Sequence, residues 1–167
     1  VVASPRLRTY LFDANGGKVC LHLRVGDSGT GTLFVDARDA VHLSETATEM
    51  ALLALEGVPP VEAVRTLKGR FRGVRPRLLR RDYERVAQVV SHLSTPRPGC
   101  STCGIETQQS PLFSTQPDAP YRADLALTYR CNNDCGHCYN DPQRRLRQSL
   151  SFADWCRALD RLHEAGV

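Results

Sequence analysis

The chain has 167 residues, of which 41% are hydrophobic and 24% charged, proportions that suit a globular fold and exclude a disordered, collagenous or coiled-coil chain. No stretch approaches the roughly 20 uninterrupted apolar residues that cross a bilayer, and no secretory signal opens the chain, so a cytoplasmic setting without a membrane partner is expected. The net charge of +4 comes almost wholly from arginine, densest between Arg65 and Arg85, which suits an acidic partner such as a peptide or nucleic acid and equally a solvated basic helix face.

From Gly16 and Gly17 the residues alternate: Val19, Leu21, Leu23 and Val25 point one way, Lys18, Cys20, His22 and Arg24 the other. That period of two predicts a half-buried strand with Cys20 and His22 on its polar face. The glycine-rich turn from Gly26 to Gly31 leads to the runs Thr32–Asp36 and Ala40–Leu43, completing a three-stranded antiparallel sheet. Ser44, or Thr46 with Glu49 three residues on, caps a first helix whose stripe is Ala47, Met50, Ala51, Ala54 and Leu55. Gly57 and the Pro59-Pro60 pair stop it. A second helix is expected to bury Val61, Val64 and Leu67, and a third, after Pro76, to bury Tyr83, Val86, Val90 and Leu93.

Strands followed by three helices make an α+β unit that resembles a winged helix-turn-helix. More narrowly it is similar to the small domains related to the chaperone of pyrroloquinoline quinone synthesis, on the residues Val41–Ala47, Leu55–Gly57 and Asp82-Tyr83. The resemblance covers residues 15 to 95 and implies recognition of the leader of a ribosomally made precursor peptide by strand addition to the sheet edge. The domain is assigned to residues 1–95. Residues 96–120, rich in Ser, Thr, Gln and Pro and holding Cys100 and Cys103, read as a linker.

Residues 121–167 begin a second unit. Ala123–Tyr129 is predicted as a strand, a cysteine run follows as its loop, and Ser151 with Asp154 caps a helix expected to bury Phe152, Trp155, Leu159 and Leu162, with Cys156 in the core beside Trp155. The seven cysteines are an odd number, and a reducing compartment would keep them available for metal rather than disulfides. Cys131, Cys135 and Cys138 occupy positions one, five and eight of the loop, and three soft thiolates so spaced can wrap three corners of an iron–sulfur cubane, leaving the fourth open.

This run closely resembles the cluster loop of radical S-adenosylmethionine enzymes. The resemblance implies a 4Fe-4S cluster on Cys131, Cys135 and Cys138, S-adenosylmethionine on the open iron, and an electron donor as partner. It also implies that Tyr129, His137 and Tyr139 flank the cofactor, and that the unit is the first β/α step of a partial (β/α)6 barrel resembling a TIM barrel, whose strand-end loops form the active face. His137 as a ligand would close the open corner. Both chain ends read as the ends of a fragment, which would leave the barrel incomplete. Two other readings exist. Cys100 and Cys103 with Cys135 and Cys138 form two knuckles, as in a zinc ribbon, which leaves Cys131 unexplained. A redox-sensing winged helix would instead put its arginine-rich third helix into a DNA groove.

Overall fold

The computed structural model describes residues 7–14, 17–96, 102–105, 119–133, 135–138 and 148–167, with the isolated positions 108, 111, 114, 140, 143 and 146. Four strands, β1 (Leu7–Ala14), β2 (Gly17–Val25), β3 (Gly31–Val35) and β4 (Asp39–Leu43), form one antiparallel sheet in chain order. Three helices follow, α1 (Glu45–Leu55), α2 (Pro60–Arg70) and α3 (Pro76–Leu93), and α4 (Phe152–Ala165) comes last. The architecture is α+β.

The expected sheet of three strands gains one. β1 pairs with β2 from Leu7↔Arg24 to Ala14↔Gly17, so Tyr10 and Phe12 join Leu21 and Val19 on the inner face. Its alternation is blurred because Leu11 lies on the other face, exposed at the sheet edge. Leu21 pairs with Val35 and Leu23 with Leu33, which pairs in turn with Val41, so one face is apolar from edge to edge. Ala51, Leu55, Val90 and Leu93 close over it from α1 and α3.

Local chemistry sets the element ends. The Ser44 hydroxyl accepts the Ala47 amide and starts α1. Gly57, at φ 71°, ends it: its amide reaches the Ala54 carbonyl and that of Val58 reaches Leu53, a left-handed exit that glycine takes without strain. Asp36 and Ala37 both have positive φ in the tight turn from β3 to β4, closed by the Arg38 amide on the Val35 carbonyl. In α2 the buried positions are Ala63 and Leu67, and Val61 is 76% exposed, contrary to expectation. Pro60 begins the helix, and the inward stripe then falls on residues four apart starting at Ala63.

A second core of Met50, Ala63, Leu67, Leu79 and Tyr83 joins the three helices. The Tyr83 hydroxyl, at the far end of a buried ring, donates to the Val58 carbonyl just beyond α1. Tyr83→Phe should therefore cost about 0.5–1.5 kcal/mol in urea denaturation at neutral pH. Burial pushes the Tyr83 phenol above its ordinary value. The native state thus resists its ionisation, and stability present below the ordinary phenol range is lost as pH rises through it. The variant should lose less stability on going to alkaline pH than the parent.

The predicted strand Ala123–Tyr129 is not one. Among the described residues no neighbouring strand pairs with the segment, and Leu125, Leu127 and Tyr129 are exposed. Nor does α4 bury its apolar face: none of its residues is fully buried, Phe152 is 85% exposed and Leu159 52%. Trp155 and Cys156 are only half-buried, so the core position expected for Cys156 is not met. The α4 cap is as expected, Ser151 and Asp154 bonding each other's backbone amides. The Ser151 hydroxyl, and then the Ser151 amide, both donating to the carboxylate, hold the Asp154 carboxyl below its usual range. Among the described residues no helix is long and apolar enough to cross a membrane.

Candidate functional site

The cysteine loop is reached along the segment that runs over the outer face of the sheet. Pro120 and Tyr121 are seated there: the Tyr121 ring meets Phe34 edge-on at 5.6 Å and its hydroxyl lies 3.3 Å from His42 Nε2. Beyond Arg122, whose guanidinium pairs with Asp124 at 2.9 Å, the chain runs through exposed residues to Cys131.

Within the loop the Cys138 amide donates to the Cys135 carbonyl at 3.1 Å, a tight turn over Gly136 and His137 that sets the two thiols on one knuckle. The Asn133 amide lies 3.4 Å from Cys131 Sγ, a backbone donor aimed at the third sulfur. Cys131, Cys135 and Cys138 are all free and exposed. Among the described residues no three His, Cys, Asp or Glu side chains converge as a preformed metal cage. The loop thus brings Cys135 and Cys138 into one turn, with Cys131 four residues ahead of it. Tyr129, two residues ahead of Cys131, and His137, within the turn, are exposed. Tyr139, Asp134 and Cys100 lie outside the described residues.

The other cysteines differ in chemistry. Cys103 is disulfide-bonded, so the expectation that every thiol stays available for metal does not hold for it, and it offers no thiolate to a four-cysteine ribbon. Cys20 Sγ sits 3.2 Å from His22 Nε2, and His22 Nδ1 is 2.9 Å from Thr9 Oγ1. Burial, and then the Asp36 carboxylate, pushes the Cys20 thiol up. A thiol pushed up in this way is a poorer source of thiolate, and so a poorer soft ligand, than an ordinary cysteine.

The sequence reading missed how the outer face is used. Arg24, assigned to a polar strand face, is 6% exposed, its guanidinium lying 5.3 Å over the Phe34 ring and 5.4 Å from that of Tyr121. A cavity of about 550 Å³ opens beside it between this face and α4, lined by His22, Phe34, Tyr121, Leu125, Leu159 and Leu162 among others. The available signal was Phe34, an aromatic alternating onto the face opposite Leu33 and Val35, which only makes sense if something covers it. No protein-family model matches the chain, and comparison with curated proteins and with solved structures gives no match.

Proposed function

We propose that this chain carries the cluster loop of a radical S-adenosylmethionine protein, with Cys131, Cys135 and Cys138 as ligands of a 4Fe-4S cluster, acting in the modification of a ribosomally made precursor peptide. The observation that carries the reading is the set of three free, exposed thiols on a single eight-residue loop, two of them held on one turn. The donor set fits the group chemically, since soft thiolates suit iron–sulfur clusters and three leave one iron open. Convergence of the three would accompany binding, as is usual where a metal site folds on loading. When bound, the cluster with S-adenosylmethionine on its open iron supplies reductive carbon–sulfur cleavage, for which an external electron donor is needed. Tyr129, His137 and Tyr139 would wall the site, and the Asn133 amide would donate to the Cys131 sulfur.

The N-terminal α+β unit, read as a winged helix, would take the leader peptide. β4 is a sheet edge, and its outward amides and carbonyls are a template for one more strand. Arginines from Arg77 to Arg85 on α3 would attract an acidic leader. Replacing Arg77, Arg80, Arg81 and Arg85 by alanine should slow association of an acidic leader peptide about tenfold at low salt and flatten its salt dependence. An unchanged salt slope counts against that role.

Anaerobic reconstitution with iron and sulfide tests the central reading. A broad absorbance at the visible edge that bleaches with dithionite supports the cluster. A colourless, zinc-loaded protein supports a ribbon instead, and salt-dependent retardation of duplex DNA a regulator.

A further inference from the structure

Burying a guanidinium is costly unless its donors are satisfied, so the partners of Arg24 show what its burial is for. Its Nη1 donates to the Pro120 carbonyl at 2.9 Å and to the Gly166 carbonyl at 3.3 Å. Those two carbonyls bracket the whole excursion that holds the cysteine loop: the chain leaves the sheet at Pro120 and is back at the same nitrogen at Gly166. Gly166 is the left-handed residue that terminates α4, so the contact falls at the helix end, where backbone carbonyls lack partners and the dipole favours a cation. The guanidinium also lies against the rings of Phe34 and Tyr121, which meet each other edge-on, and Tyr121 is tied to the edge strand by His42.

We propose that Arg24 is a clasp that closes the segment 120–166 onto the outer face of the sheet, so that the cysteine loop is presented from a fixed base rather than from a free linker. One side chain holds both ends of the excursion. Lysine is a poor substitute, because a compact, strongly hydrated ammonium lacks the planar fork that lies against two rings while serving two carbonyls. The inference needs neither cluster nor peptide and stands or falls separately from the function proposed above.

Hydrogen exchange at the end of α4 and limited trypsin cleavage at Arg122 test it on the intact chain, comparing the parent with Arg24→Met, Arg24→Lys and Tyr121→Ala. Arg24→Met should speed exchange in the last turn of α4 and cleavage after Arg122 each at least about tenfold, while α1 to α3 and the inner sheet keep their protection. Arg24→Lys should restore only part of it. Loosening at both ends together is the signature of a shared clasp. Unchanged protection at either end, with the sheet intact, overturns the proposal. If Arg24→Met unfolds the sheet, Tyr121→Ala decides, since it removes a ring without altering any strand: both ends should again loosen, and unchanged protection at Gly166 refutes the clasp.

Discussion

Alanine at any one of Cys131, Cys135 and Cys138 is expected to remove essentially all iron and sulfide from the reconstituted protein, and alanine at Cys20 or Cys156 to remove none. The asymmetry follows from valence and geometry. A cluster with only three protein thiolates has no spare ligand, and two sulfurs on an exposed loop do not hold it against water and free thiol. The loop cysteines are free and reach solvent, so a cluster can assemble on them without unfolding anything. Cys20 is different, half-buried on a strand beside His22, with burial pushing its thiol up. Cys156 lies on α4 beside Trp155 and is half-buried. His137→Ala should keep its iron, since a fourth protein ligand would occupy the corner that the cofactor needs. Iron by elemental analysis and the dithionite-sensitive absorbance measure the same loss twice. A full iron complement in any of the three loop variants ends the assignment, and zinc in place of iron redirects it.

Legibility in the sequence tracked how locally each feature is determined. The strands β2 to β4 were readable because one face of each is buried, which imposes strict alternation on Val19, Leu21, Leu23, Leu33 and Val35. The ends of α1 and α4 were readable because Ser44, Gly57 and the Ser151–Asp154 pair act within three or four residues of themselves. What was missed depends on partners far along the chain. Arg24 looks like a surface residue until Pro120 and Gly166 arrive. The run Ala123–Tyr129 has the composition of a strand, but a strand exists only with a neighbour to receive its hydrogen bonds, and composition does not report one. The same holds for α4, whose amphipathic pattern promises burial that Phe152 and Leu159 do not obtain here. For the cysteine loop, spacing alone nominates the donors in advance of structure, and among the described residues they do not converge in the fold.

Gly31→Ala should destabilise the N-terminal unit by about 1–3 kcal/mol, the range for forcing a methyl into a filled core. Gly31 opens β3 in a position that side chains tolerate as far as backbone is concerned, since its φ is not in the left-handed region. The obstacle is space. A Cβ there would lie 2.7 Å from Thr48 Oγ1 and 2.8 Å from its Cγ2, both too close. Thr48 cannot simply swing aside: it is 1% exposed, it is β-branched on α1, and its hydroxyl donates to the Ser44 carbonyl at 2.9 Å. Thr48→Ala alone should cost about 0.5–1.5 kcal/mol through the lost bond. The two substitutions together should cost less than their sum, because the alanine methyl at 31 then occupies volume vacated at 48. A coupling of about 1 kcal/mol or more, read from urea midpoints at constant slope, is the expected mark of direct contact across α1 and β3. Additive losses would mean that Gly31 is required for some reason other than Thr48.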